Sequence, residues 1–301
     1  MQQWKSLLSE ANVGAVLWNE PLAKYTTWKI GGPADVLIVP ETKEQLSELV
    51  TLLHAHQIPW IQLGRGSNML IADKGIRGAV IKLGKGFEHC SFDGCTASAG
   101  GSMSFVKLSV LAGKQGLMGL EFAGGIPGSV GGAVYMNAGA HGSDVSRIFK
   151  SADIVLETGE LVTYAAEDMA FDYRHSILHE RKGIVTGAVF ALEYGDREQI
   201  SAVMASYKDR RRRTQPLQSA TAGSVFRNPP GDHAARLIEA AGLKGLRIGG
   251  AEISVQHANF IENTGQATAE DVLALMEHIK ATVADKNGIQ LVPEVYVMGE
   301  R

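Results

Sequence analysis

A chain of 301 residues exceeds one ordinary hydrophobic core, and 45% hydrophobic with 20% charged residues marks it as globular rather than disordered. Its formal net charge of −3 supplies no global basic field for DNA or RNA, so any cationic site must be local. The opening "MQQWKSLLSE" lacks the apolar stretch of a signal peptide, and no apolar run approaches the roughly 18–20 residues that span a bilayer.

The N-terminal segment reads as an amphipathic helix. "YTTWKIGGPADVLIVP" then predicts a polar turn with two glycines leading into a β-branched strand. In "TKEQLSELVTLLHAHQ", Leu46, Leu49, Val50 and Leu53 share one helical face, with Thr42 as the N-cap. "IPWIQLGRGSNML" reads as a strand running into a glycine turn. This β-α-β alternation implies a parallel or mixed sheet with a crossover helix. "GAVIKLG" adds a strand, and a hairpin centred on Asp93-Gly94 ends a first lobe near residue 90. Cys90 and Cys95, the only cysteines, are expected as reduced, packed thiols of a cytosolic protein rather than as a hairpin cross-link.

Residues 103–115 read as a helix, and residues 116–142 carry nine glycines. "ADIVLETG", "ELVTYA" and "GIVTGAVFALEYG" are strands. "DREQISAVMASYKDRRRR" is a helix with Ile200, Val203, Met204 and Tyr207 on one face. A helix around "HAARLIEAAG", strands in "AEISV" and "ANFIEN", and a long helix from "TAEDVLALMEH" follow. Thr268 and Asp271 form its capping box, and Gly288 is its stop. The pattern divides into three lobes, residues 1–90, 91–205 and 206–301.

"LGRGSN" and "GGIPGSVGGA" share one logic, since glycines let several N–H groups converge on an anion. Neither is a Walker A loop nor a Rossmann fingerprint. One such stretch alone is most simply a turn; two on successive lobes suit a long ligand lying between them. Arg210–Arg213 fall at a helix C-terminus, where they oppose the helix dipole and fan around the axis, so at most one or two face a ligand. A nucleic-acid role finds no wider basic face and no interleaved aromatics. Ser224 in "ATAGSVFRNPP" reads first as a turn residue, and Arg174 as a surface guanidinium. Glu294, in an apolar strand, needs a partner or a task.

Six segments in order, "YTTWKIGGPAD", "LGRGSNML", "GLEFAGGIPGSVGGAVYMNAGAHG", "YRHS", "AGSVFRNP" and "PEVYVMG", resemble the UDP-N-acetylenolpyruvoylglucosamine reductase family. The likeness runs from about Tyr25 to Gly299. Members of that family are FAD enzymes that make UDP-N-acetylmuramate for bacterial peptidoglycan. The resemblance implies an α+β protein: an FAD-binding fold of the vanillyl-alcohol-oxidase type in two lobes, plus a C-terminal α+β substrate-binding lobe. It places the FAD pyrophosphate against Gly64, Arg65, Gly66, Ser67 and Asn68, with Gly125, Ser129, Gly131, Gly132 and Ala133 lining the cofactor beyond. "GRGSN" holds neither His nor Cys, so the FAD is expected to be non-covalent. NADPH is the implied hydride donor, and no metal is implied.

The same resemblance gives Ser224 the role of proton donor. Arg174 and Glu294 stabilise enolate-like charge, Glu294 either protonated or as a hydrogen-bond partner. Tyr173, Asn228 and Arg212 bind the UDP-sugar, Arg212 at its diphosphate. An inserted tyrosine loop of some members is absent at Tyr194–Glu198, which marks a shorter branch. A cytoplasmic monomer without nucleic-acid or membrane partners is expected. An oxygen-using flavin oxidase of the same fold stays open as the rival activity.

Overall fold

The structure, a computed structural model, describes residues 2–301, so Met1 of the segment read as helical lies outside the described residues. The chain forms two compact units. The first comprises residues through Trp18, Val36–Gly64 and Gly78–Asp209; the second comprises Asn19–Asp35, Arg65–Arg77 and Arg210–Arg301.

Helix α1 (Gln2–Glu10), in the first unit, precedes a sheet whose strands run in the order Ala15–Pro21, Pro33–Val39, Ile76–Ile81, Trp60–Gln62. Helix α2 (Lys43–Ala55) starts where expected, the Thr42 hydroxyl accepting from Gln45 N. Its Leu46, Leu49, Val50 and Leu53 are buried in a core with Val36, Ile38, Trp60 and Ile81. Trp60–Gln62 pairs in parallel with Ile76–Ile81, which lies between it and Pro33–Val39, the strand before α2.

A second sheet follows the order Leu161–Ala165, Phe149–Leu156, Gly183–Ala191, Thr96–Gly100, Cys90–Asp93, with every neighbouring pair antiparallel. Asp93 faces Thr96, so Gly94 and Cys95 make the hairpin turn, Gly94 at φ +54°. Helix α3 (Phe105–Lys114) and the short α4 (Val130–Tyr135) pack their apolar sides into this sheet's own core. The glycine-rich pattern predicts no helix at α4. Its helix survives poor propensity because Ser129 caps it and the strand beside it needs close approach.

Helix α5 (Arg197–Thr214) shows a narrower apolar stripe than expected. Ile200 is buried and Tyr207 stacks on His141 at 3.8 Å, but Val203 is exposed. At 100° per residue Val203 lies at the stripe's edge, whereas Met204 and Tyr207 bracket Ile200. Two residues separate the strand Glu193–Tyr194 from α5, so no loop is inserted there.

In the second unit, α6 (Ala234–Ala240) and α7 (Ala269–Asn287) enclose a core with Trp28, Leu70 and Phe226. Trp28 is fully buried. Its indole N–H donates to Ile261 O at 2.7 Å, and its carbonyl accepts from Asn263 Nδ2 at 2.9 Å. Strands Arg247–Ile248, Ala251–Ile253 and Ile261–Asn263 form an antiparallel sheet, and Met69–Ile71 pairs in parallel with Tyr296–Met298.

Helix α7 carries the expected capping box of Thr268 and Asp271 and ends at Gly288, φ +68°. The Asp271 carboxylate also accepts from Gly250 N, and the backbone N–H of Thr268 leads the causes that hold it below its ordinary value of 3.8. A depressed carboxylate stabilises the fold above its unfolded value and loses that contribution as pH falls through the folded one. Asp271→Ala is therefore expected to cost about 0.3–1.5 kcal/mol at neutral pH, the usual worth of one capping feature. In denaturant titrations its gap from wild type should close below the ordinary carboxylate range; a gap unchanged at low pH contradicts the assignment.

Candidate active site

The loop Gly64–Asn68 turns its carbonyls inward. Gly64 O accepts from Lys82 Nζ at 2.9 Å, Gly66 O from Thr27 N at 3.2 Å, and Asn68 O from Tyr296 N at 3.0 Å. In a trans peptide the following N–H points the opposite way, so the N–H groups of Arg65 and Ser67 are directed away from Lys82 and Thr27, the partners of the carbonyls before them. Among the described residues, none of the backbone N–H groups from Arg65 to Asn68 has a partner within the chain. A row of such donors is an anion-binding concavity. Gly66 sits at φ +59°, and a Cβ there would collide with the backbone of Tyr25 and Thr26. Only glycine fits.

The second glycine segment behaves differently from the expectation of converging donors. The N–H groups of Val130, Gly131, Gly132 and Ala133 go to Met103 O, Gly101 O, Ser129 Oγ and Ser129 O. They are consumed internally. What the glycines supply is proximity: a Cβ on Gly131 would stand 3.1 Å from both Gly101 O and Val185 O. Gly64 and Ser129 are neighbours, since a Cβ on Gly64 would lie 3.0 Å from Ser129 Oγ. Gly125 ends a half-buried 3₁₀ turn just before this segment.

Arg174 occupies a tight turn in which Asp172 and His175 pair across the chain. Its φ of +56° is left-handed, its guanidinium donates to Gly139 O at 2.9 Å, and it lies 5.1 Å over the ring of Tyr173. Tyr173 itself is exposed.

Ser224 follows Gly223, which is left-handed at φ +76°. The segment after it is fastened by one buried amide: Val225 N donates to Asn259 O, Phe226 N to Asn259 Oδ1, and Asn259 Nδ2 to Phe226 O. Glu294 N donates to Val225 O at 2.7 Å, and Asn68 Nδ2 donates to Glu294 O at 3.1 Å. Three of the expected site segments, those of Ser224, Glu294 and Asn68, thus meet through one backbone relay. Asn228 is exposed, and its Oδ1 accepts from Ala234 N, a cap for α6 that His233 does not provide. Of the four arginines ending α5, Arg211 is the one turned inward. It bonds Gln215 through Nε at 2.9 Å, and burial lowers its pKa. Arg212 is exposed, with its carbonyl accepting from Gln256.

Sequence reasoning missed Asn259 and Asn137, both buried amides that fasten turns carrying expected site residues. A lone asparagine gives no local signal of partners more than thirty residues away. Among the described residues no cluster of acidic, His or Cys side chains could hold a metal, and no helix is long and apolar enough to cross a membrane.

Residues 34–165 match the model of an FAD binding domain, and residues 215–298 match that of the UDP-N-acetylenolpyruvoylglucosamine reductase C-terminal domain. The chain is 52% identical, over 98% of its length and 97% of the relative's, to UDP-N-acetylenolpyruvoylglucosamine reductase of Bacillus licheniformis. It is 50% identical over both full lengths to the enzyme of that name from Halalkalibacterium halodurans. Among solved structures, the UDP-N-acetylenolpyruvylglucosamine reductase of Thermus caldophilus superposes with a TM-score of 0.81 at 37% identity, covering 94% of this chain and 98% of that one.

Proposed function

Because the chain belongs to the UDP-N-acetylenolpyruvoylglucosamine reductase family, we propose that it reduces UDP-N-acetylglucosamine enolpyruvate to UDP-N-acetylmuramate, with FAD bound and NADPH as hydride donor. The fold is α+β with an FAD-binding part of the vanillyl-alcohol-oxidase type. The unpartnered backbone N–H groups from Arg65 to Asn68 fit a pyrophosphate. Gly125, Ser129, Gly131, Gly132 and Ala133 then line the cofactor by close approach rather than by donating.

Once reduced by NADPH, a bound FAD would supply the hydride for the terminal carbon of the enol ether. Enolate-like charge then develops on the adjacent carbon and the carboxylate. Arg174 and Glu294 stabilise it, Glu294 as a hydrogen-bond partner. Ser224 gives its hydroxyl proton to the adjacent carbon, which completes the lactyl ether. A hydroxyl is a weak acid in water, but an enolate is base enough to take its proton. Tyr173, Asn228 and Arg212 hold the UDP-sugar, Asn228 through the amide nitrogen that its capping bond leaves over.

The observation that most supports this reading is the relay from Asn68 through Glu294 to Val225, beside Ser224. A three-lobe division at residues 90 and 205 is part of the proposal. Two separate apolar cores in the first unit, one mostly before residue 90 and one after it, favour the first boundary. Soluble nucleotide substrates favour a cytoplasmic location, and a monomer is part of the same proposal.

Two substitutions test the binding assignments. Gly66→Ala should yield folded protein that does not retain yellow flavin, because the loop must shift to accept a Cβ. A Gly66→Ala protein with full flavin content removes the pyrophosphate from this loop. Arg212→Ala should weaken UDP-sugar binding by about 1.5–3 kcal/mol, the range for a hydrogen bond to a charged group. Titration followed by the flavin spectrum measures this, and unchanged affinity returns Arg212 to the solvated face.

A further inference from the structure

Two loops of the first unit grip Arg174 from opposite ends, and one buried amide sits at their junction. Arg174 is held at φ +56°, where a side chain other than glycine's carries strain that surrounding structure must impose. Asp172 and His175 exchange both backbone hydrogen bonds, at 3.2 and 3.1 Å, and so close the turn. Asn137 then fixes that turn from outside. Its Nδ2 donates to Asp172 O at 3.0 Å, while its Oδ1 accepts from Ser146 N at 2.9 Å. Asn137 is 4% exposed and itself left-handed at φ +41°.

Two residues farther on, Gly139 O accepts from the Arg174 guanidinium at 2.9 Å. The segment Asn137–Gly139 therefore holds the base of the Arg174 turn by a side chain and its tip by the main chain. Behind the turn, fully buried Ser176 donates to Tyr135 O at 2.6 Å, which anchors its far side to the end of α4. A strained residue clamped at both ends has one direction in which to present its charge.

We propose that Asn137 is a positioning residue for the reduction and acts through Arg174. The inference rests on the assignment of Arg174 to the developing enolate charge. Asn137 needs no contact with substrate or cofactor; its amide sets where the guanidinium stands. Displacement of a charged group by an ångström costs a reaction about 10²-fold, so the loss should fall on the step in which that charge develops.

Two variants of the FAD-loaded enzyme separate this from a structural role. Asn137→Gly deletes the amide and is at ease in the left-handed backbone. Asn137→Asp keeps the shape and the acceptor for Ser146 N but loses the donor to Asp172 O. Both should keep their flavin and be reduced by NADPH at the wild-type rate. Reoxidation by saturating enolpyruvyl substrate should slow about 10–100-fold, with substrate affinity little changed. In an Arg174→Ala background, Asn137→Gly should have no further effect.

Equal losses in both half-reactions, additive losses in the double variant, or wild-type reoxidation in both single variants would overturn the proposal. If Arg174→Ala alone reoxidises normally, the assignment of Arg174 fails first and that of Asn137 falls with it.

Discussion

Ser224→Ala should leave reduction of the flavin by NADPH intact and slow its reoxidation by the enolpyruvyl sugar nucleotide about 10²–10⁴-fold, the usual worth of a general acid. The substitution removes one oxygen from a half-buried position whose neighbours are fastened independently of it. Val225 and Phe226 hang on Asn259, and Val225 O accepts from Glu294 N, so the turn should keep its form. The side chain can be deleted without moving the frame. Losses of equal size in both half-reactions would make Ser224 a structural residue. An intermediate that decays to product without exchangeable hydrogen from solvent at the adjacent carbon would also remove it as the donor.

Arg174→Ala is expected to slow the same half-reaction by about 10²–10³-fold, comparable with the loss of one donor to a developing oxyanion. Alanine inherits the same left-handed backbone that arginine tolerates, so the comparison reads the guanidinium rather than the turn. Arg174→Lys should recover little. An ammonium cannot both donate to Gly139 O and present a planar fork to a carboxylate. Single-turnover rates under anaerobic conditions measure both variants; a lysine variant at wild-type rate would show that charge alone is required.

Local rules carried much of the fold. Thr42, Ser104 and Thr268 cap helices as their types and positions suggest, and the stop at Gly288 and the turn at Gly94 follow from backbone freedom. What escaped the sequence is decided at long range. Helix α4 contains two glycines among six residues, and it persists because its first N–H groups find Met103 O and Gly101 O. Trp28 reads as part of a turn near the N-terminus, yet its indole bonds a carbonyl 233 positions away. No periodicity reports such a partner.

The site was legible as motifs rather than as geometry. Ser224, Arg174 and Glu294 came from a resemblance, while Asn259 and Asn137, which fasten two of those segments, left no trace in spacing. The arginine run shows the limit most plainly. Four consecutive side chains on a helix point in four directions, and the pattern alone could not tell that Arg211 turns inward and Arg212 outward. In the proposed site, Arg212 would meet a diphosphate from the exposed side of α5.

In the proposed reaction, reduced flavin in this protein passes its hydride to an enolpyruvyl ether. Anaerobic double mixing tests it most directly: the enzyme is first reduced with NADPH, then mixed with UDP-N-acetylglucosamine enolpyruvate or with oxygen. The sugar nucleotide is expected to reoxidise the flavin faster than oxygen does and to yield UDP-N-acetylmuramate in equal amount. Faster reoxidation by oxygen, with the sugar nucleotide recovered unchanged, would contradict it and favour an oxidase on the same fold.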